Sequence, residues 1–168
     1  GVYLLLTIAL IFLLWLGPMN FFESVCHAFG AISTGGFSTE AGSIAAYNSV
    51  YVKVVLTIFM FLGGVNFALI YKAMCGNFND VQRNDVFRTY VLSIAAFLVL
   101  FVFTIISRGQ FHTWQDITID PLFQIVSTMT STGFSATNYE NWGPFVMSLM
   151  FFMMFFGACA GSTSGGAK

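Results

Sequence analysis

Long apolar runs alternate with short polar stretches along the chain. Residues 2–16 are almost wholly apolar and close on Gly17-Pro18, while 50–74 and 86–106 form two longer runs, the first broken only by Lys53 near its start. A helix needs about 20 apolar residues to cross the hydrocarbon of a bilayer. The long runs therefore predict full crossings, and 2–16 predicts a crossing helix that lacks its first turn. Two shorter apolar segments, 20–34 and 120–131, cannot span a bilayer but are long enough for three turns of helix. Asn20 with Glu23 predicts a capped start for the first of them, and Asp120-Pro121 predicts the start of the second. A last apolar run, 142–157, ends abruptly at Gly157 and gives way to small and polar residues.

The short segments belong to an internal repeat. Ser33-Thr34-Gly35-Gly36-Phe37-Ser38 returns as Thr130-Ser131-Thr132-Gly133-Phe134-Ser135, with Gly36, Phe37 and Ser38 recurring 97 positions later. Thirteen residues before each glycine stands a carboxylate, Glu23 in one copy and Asp120 in the other. A half-length helix, a Gly-centred turn and a full-length helix, occurring twice, is the plan of a pore loop, and such repetition sets the fold. The predicted fold class is an all-α membrane protein with two helix–pore-loop–helix repeats. The first repeat covers 1–74, with pore helix 20–34, filter 34–38 and inner helix 48–74. A cytoplasmic loop, 75–85, leads to the second repeat, 86–168, with outer helix 86–106, pore helix 120–131, filter 131–135 and inner helix 142–157, broken by a Gly-rich gate loop over 157–166.

Composition agrees with the membrane reading. The chain is 57% hydrophobic and only 8% charged, where a soluble domain carries roughly 25% charged residues. A net charge of -1 excludes the basic face that nucleic-acid binding needs. Cys26, Cys75 and Cys159 are not spaced as disulfide or metal partners and read as buried thiols. Lys72, Arg83 and Arg88 flank the loop 75–85, against Lys53 and Arg108 on the other side. Positive-inside counting thus places 75–85 in the cytoplasm and both pore loops, with most of the carboxylates, outside. The opening run lacks the basic flank and cleavage site of a signal peptide. Both ends read as truncations, so a piece of a longer protein is expected.

A cation leaving water needs its hydration shell replaced by oxygens, and backbone carbonyls shielded from lipid can do this. Glycine at Gly36 and Gly133 allows the backbone angles that point successive carbonyls inward, and the C-terminal ends of the short helices offer partial negative charge. No carboxylate stands within the filters, which suits a monovalent ion that must leave again. Several residues keep two readings: Glu23 as helix cap or ion contact, Asn66 as bonded to a neighbour or lining the pore, the Gly-rich tail as a movable barrier or a packing device. The tail also loosely resembles a phosphate loop, but the Gly-Lys-Ser/Thr ending is absent. As a barrier, it would be a separate element from the filter, with Lys168 at its inner end. His112 reads as a surface residue and His27 as packed and hydrogen-bonded. An intramembrane enzyme would need paired catalytic groups within apolar segments, and no Asp lies inside a crossing.

The two filter segments, Leu62-Gly63-Gly64-Val65-Asn66-Phe67 and the stretch 157–168 together resemble the Trk branch of the Trk/Ktr/HKT superfamily of potassium transporters. That resemblance implies four pore-loop repeats in one chain around a single pore, of which this chain holds the second, missing part of its first helix, and most of the third. It implies filter residues Thr34, Gly35, Gly36 and Phe37, and Ser131, Thr132, Gly133 and Phe134. It also implies an intramembrane gate that includes Gly157, Gly161, Ser162, Thr163, Ser164, Gly165, Gly166 and Lys168. Potassium is then the substrate, with no cofactor and no transition-metal site; glycine kept in both filters leans towards K⁺ over Na⁺. Implied partners are membrane lipid, the remaining repeats of the full-length chain, a second copy in a homodimer and a cytoplasmic nucleotide-binding regulatory subunit. The implied location is the inner (plasma) membrane, multi-pass. Two repeats cannot enclose a four-fold pore, so the chain alone is not expected to conduct. The alternative is a two-pore-loop potassium channel subunit acting as a dimer, against which Ser38 and Ser135 replace the second filter glycine.

Overall fold

The computed structural model describes residues 1–76, 81, 83–109 and 113–165, with only the backbone of Arg108 and Glu140. Gly166, Lys168 and His112 lie outside the described residues. Seven α-helices follow one another among the described residues, with no strand: α1 Val2–Trp15, α2 Phe21–Ile32, α3 Val50–Gly63, α4 Phe67–Met74, α5 Asp85–Arg108, α6 Trp114–Met129 and α7 Pro144–Phe156. Short 3₁₀ turns, Ser43–Tyr47 and Tyr139–Trp142, precede α3 and α7.

Local chemistry explains most boundaries. Asn20 caps α2, its backbone N–H donating to Glu23 Oε2 at 3.0 Å, so Glu23 is a cap rather than an ion contact. Asn84 Oδ1 accepts from Phe87 N at 3.0 Å and opens α5, which closes at Gly109 with φ 64°. Pro144 begins α7, where a missing N–H costs nothing.

Two elements differ from the expectation. The second pore helix does not start at Asp120. It starts at Trp114, six residues earlier, because Thr113 and Asp116 form a capping box: Thr113 N donates to Asp116 Oδ2 at 2.9 Å. Asp120 and Pro121 fall inside α6, where Pro121 leaves the carbonyl of Ile117 without its helical donor. From Asp120 inwards the helix is almost wholly buried, whereas Trp114 is exposed. The second difference is the inner helix expected over 48–74. It is two helices, α3 and α4, bent by 106° at the break between them. Gly63 and Gly64 weaken the helix, and Asn66 restarts it by accepting from Ala68 N at 2.8 Å.

One helix, over Asp85–Ser107, is by itself long and apolar enough to cross a membrane, and α3 with α4 makes a second, broken candidate. The pore helices pass through the middle of the fold: α1 and α3 pack on α2, while α3, α5 and α7 pack on α6. Leu10, Leu14, Ile32, Leu56, Met60 and Phe123 are fully buried among these faces. The outer faces of α5 and α7 stay apolar and exposed, with Leu92, Phe103, Phe151 and Phe155 among them. Cys159 is buried, but Cys26 is half-buried and Cys75 exposed, because Cys75 falls just beyond the apolar run of α4.

One ion pair ties the two repeats together. Lys53 Nζ of α3 lies 2.6 Å from Asp120 Oδ1 of α6, and the side chains are only 12% and 8% exposed. Removing one member of such a pair strands a buried charge and costs roughly 3–5 kcal/mol, whereas replacing both by apolar groups costs far less. Lys53→Met and Asp120→Asn are therefore each expected to lower unfolding stability in detergent by that order, and Lys53→Met with Asp120→Leu to recover most of the loss. Unaltered stability in both single variants would remove the pair from the account of how the repeats are joined.

Candidate ion-selectivity site

The pore helices α2 and α6 end at the two filter segments, and the backbone there repeats in detail. In the first copy Gly35 N and Gly36 N both donate to the carbonyl of Gly30, at 2.8 and 3.1 Å. In the second, Thr132 N and Gly133 N both donate to the carbonyl of Ser127, at 2.9 and 3.3 Å. One residue earlier, Thr34 N donates to Ala31 O at 3.2 Å and Ser131 N to Thr128 O at 3.0 Å. A trans peptide holds its C=O opposite its N–H. Drawing these amides back onto the helix therefore turns the carbonyls of Ser33, Thr34 and Gly35, and of Thr130, Ser131 and Thr132, away from it.

Left-handed backbone makes this possible. Thr34 and Gly36 have φ of 54° and 65°, and Ser131 and Gly133 have φ of 58° and 86°. Two of these four are not glycine, and such residues pay about 1–2 kcal/mol for the conformation. Gly36 also meets a steric limit: a Cβ there would lie 1.8 Å from the Thr132 carbonyl oxygen, so the two filters touch through their backbones. A Cβ on Gly133 would meet nothing within 4 Å.

The paired aromatics are placed very differently. Phe134 is fully buried, whereas Phe37 is 81% exposed. Phe134 packs on the first pore helix, its ring 5.8 Å from that of His27, and its edge would lie 3.2 Å from a Cβ on Gly30. By the 97-residue repeat, Gln124 and Ser127 of the second pore helix correspond to His27 and Gly30. There the equivalent place is a cavity of about 590 Å³ lined by Gln124, Ser127, Ser131, Gly133, Met147 and Met150. Gln124 Oε1 is buried against it with no hydrogen-bond partner.

His27 supports the loop after the first filter. Its Nδ1 lies 2.8 Å from the Glu23 carbonyl, which can only accept, so Nδ1 carries the proton and Nε2 of the neutral ring accepts from Ser38 Oγ at 2.9 Å. Ser38 Oγ in turn accepts from Glu40 N at 3.1 Å. Tyr47 packs edge-on against the same ring, and burial raises its phenol above the ordinary value. In the second repeat Ser135 is held from the other direction: its N–H donates to Ser43 Oγ at 3.2 Å, and its carbonyl accepts from Ala45 N at 3.1 Å.

After α7 the chain leaves the helix at Gly157, with φ 61° and ψ −169°, and 157–165 runs without regular structure. This stretch reaches both filters. Thr34 Oγ1 donates to the Thr163 carbonyl at 3.0 Å, and a Cβ on Gly165 would lie 3.3 Å from Ser131 Oγ. The tail is thus bonded to the first filter and is not the separate element expected. Thr163 Oγ1 stands 2.9 Å from Ile32 O and 3.1 Å from Gly63 O. Ser164 is buried, and Ser162 Oγ lies 3.0 Å from Ser164 Oγ. Asn66, left open between two roles, is bonded to a neighbour: its Nδ2 donates to the Ala160 carbonyl at 2.7 Å. Sequence reasoning missed this contact with the break in the inner helix, although Gly63-Gly64 followed by Asn66 was its signal.

The structure thus brings Thr34, Gly35 and Gly36 together with Ser131, Thr132 and Gly133, and sets Thr163, Ser164 and Gly165 beside them. Phe37 and Phe134 follow directly in the two segments, the ring of the first exposed and that of the second buried. Neutral oxygens in such an array replace water around a monovalent cation without holding it too tightly.

The sequence matches the TrkH family of cation transport proteins over residues 2–168. It is 32% identical over 171 residues to the Trk system potassium uptake protein TrkH of Vibrio parahaemolyticus, covering 99% of this chain and 35% of that protein. Against the Trk system potassium uptake protein TrkH of Escherichia coli K12 it is 33% identical over 173 residues, with the same coverage of 99% and 35%. The chain therefore spans about a third of the length of these curated relatives. Among solved structures, that of the potassium transporter TrkH from Vibrio parahaemolyticus superimposes with a TM-score of 0.92 at 30% identity, covering 98% of this chain and 36% of that one. The chain belongs to the TrkH family, a family of cation transporters and not of enzymes.

Proposed function

We propose that this chain forms two adjoining quarters of a potassium uptake pore, with the carbonyls of Thr34, Gly35, Ser131 and Thr132 facing the ion and 157–166 lying across its path as a gate. The observation that carries the reading is the duplicated capture of filter amides by one pore-helix carbonyl, Gly30 in one copy and Ser127 in the other. Capture of the amides leaves an array of carbonyls with no donor of their own, which is what an incompletely hydrated cation requires. The names of the relatives, potassium uptake proteins, supply the ion.

The remaining two quarters come from further repeats of the full-length protein. Phe134 fills a seat on the preceding pore helix, the corresponding seat at Gln124 and Ser127 stands open, and Phe37 is an exposed plug. Repeats joined head to tail in this manner have a free end on each side until the ring closes. Location in the plasma membrane, with 75–85 cytoplasmic, belongs to the same reading. So do assembly as a homodimer and control by a cytoplasmic nucleotide-binding subunit, which the family resemblance supports.

In the full-length protein, expressed in cells unable to take up potassium, Gly36→Ser or Gly133→Asp is expected to lower K⁺ uptake or admit Na⁺ while membrane insertion is unaffected. Normal uptake and normal K⁺/Na⁺ discrimination in both would end the filter assignment. Deleting several residues within 158–164 is expected to raise flux, with some loss of selectivity because Thr34 loses its partner at Thr163.

The head-to-tail ring has its own test. In the isolated chain Gly133→Ala meets only backbone strain, about 1–2 kcal/mol, while Gly36→Ala collides with Thr132 and is far more damaging. In the full-length protein the two substitutions should become comparably damaging, because the neighbour of Gly133 is then present. Unfolding measurements on both forms decide this, and a mild Gly133→Ala in the full-length protein would refute the arrangement.

A further inference from the structure

The break between α3 and α4 and the stretch 157–165 satisfy each other's backbone. In a continuous helix the carbonyls of Gly63 and Gly64 would accept from the N–H groups of Phe67 and Ala68. Here the chain bends by 106° at that place and both carbonyls are released. Gly63 O accepts from Thr163 N at 3.3 Å, with Thr163 Oγ1, shared with Ile32 O, 3.1 Å away, and Gly64 O accepts from Cys159 N at 3.0 Å. The two displaced amides find substitutes: Ala68 N donates to Asn66 Oδ1 at 2.8 Å, and Phe67 N points to Gly161 O at 3.5 Å. Asn66 closes the exchange by donating Nδ2 to the Ala160 carbonyl at 2.7 Å.

A helix wound on from α3 into α4 and a tail held in place therefore compete for the same two carbonyl oxygens. Gly63 and Gly64 are buried, so their carbonyls cannot turn to water instead, and the exchange has two satisfied states and a costly middle. Around the break the run is apolar apart from Asn66, and a continuous helix there would be long enough to cross a membrane. We infer that the break at 64–66 is the latch of the gate, with Asn66 as its positioning residue: while α3 and α4 stay bent the tail is held beneath the filters, and winding the break into helix takes back Gly63 O and Gly64 O and lets the tail go. The inference rests on reading 157–166 as the barrier. It goes further by naming what holds that barrier and which movement frees it. The lever is α4, which leads from the break to the polar loop after Met74.

Two substitutions push the exchange in opposite directions. Asn66→Leu removes both the cap of α4 and the donor to Ala160, and favours winding. Phe67→Pro forbids it, because proline cannot donate to Gly63 O. The bent form accepts proline there at the loss only of the long 3.5 Å contact from Phe67 N to Gly161 O, since Phe67 is the first residue of α4 and Asn66 already has φ −60° and ψ 124°. Phe67→Ala controls for the lost ring contact with Tyr3.

The experiment uses the full-length protein with every cysteine but Cys159 replaced, reconstituted in vesicles and read by K⁺ flux and by a membrane-permeant maleimide. Cys159 is 1% exposed in the latched state and should react slowly. Asn66→Leu is expected to raise both flux and modification rate by roughly fivefold or more, the population shift that follows loss of two hydrogen bonds of about 0.5–1.5 kcal/mol each. Phe67→Pro should lower both below Phe67→Ala. Faster modification with unchanged flux would uphold the latch and refute the barrier reading instead. Unchanged modification in Asn66→Leu, or faster modification in Phe67→Pro than in Phe67→Ala, would overturn the latch.

Discussion

Backbone that leaves the helix inside a membrane must find every partner within the protein, because lipid supplies none. The described irregular segments here are organised by that constraint. The filter amides have no strand to pair with, so they turn back onto the last turns of the pore helices, and a single carbonyl takes two of them in each copy. The carbonyl side of the same peptides is then left over, and that remainder is the surface proposed to face the ion. Thr163, Cys159 and Asn66 solve the same problem lower down, where the tail and the broken helix take up each other's groups.

Satisfaction of this kind leaves little freedom to substitute. Gly30 lets Phe134 lie on the pore helix, and Gly36 lets the Thr132 carbonyl approach within the space of a side chain. Gly64 is equally enclosed, since a Cβ there would stand 2.5 Å from the Tyr90 hydroxyl. These glycines mark close approach between the repeats and between helices. The buried pair Lys53–Asp120 joins the repeats by charge rather than by shape. Asp120 occupies the repeat position of Glu23, so the same carboxylate caps a helix in one copy and bridges two helices in the other.

That divergence accounts for what was legible in the chain and what was not. The pore loops were legible because the repeat preserves Gly36, Phe37 and Ser38 as Gly133, Phe134 and Ser135, and local chemistry at those positions dictates the turn. The start of α6 was not, because Asp120-Pro121 has the form of a helix start while Thr113 and Asp116, with Asp in place of the usual Glu, form the stronger one. The bend after α3 was not read either: a 25-residue, largely apolar run reads as one crossing, and the local signal of Gly63-Gly64 and Asn66 is decided by the tail's demand for the carbonyls of Gly63 and Gly64. Both misreadings arise where a tertiary partner outweighs a local preference. The different fates of Phe37 and Phe134 belong to the same class, since nothing local distinguishes them.

The strained residues Thr34 and Ser131 show how these demands meet at one point. Both sit at φ above 50° where glycine would be unstrained, at a cost of about 1–2 kcal/mol each. Glycine would ease the backbone, but it has no hydroxyl. Thr34 Oγ1 is the group that reaches the Thr163 carbonyl, 3.0 Å away, and so joins the filter to the tail. In the corresponding place a Cβ on Gly165 would lie 3.3 Å from Ser131 Oγ. The Thr34 hydrogen bond returns about 0.5–1.5 kcal/mol, which offsets part of the strain at that residue. On the proposed reading, a filter held so keeps its carbonyl geometry without an ion, and Thr34 links it to the tail. On the reading of these segments as filter and gate, one hydroxyl group is common to both, and a change at the break after α3 can reach the filter by way of Thr163, which also bonds Ile32 O of the pore helix.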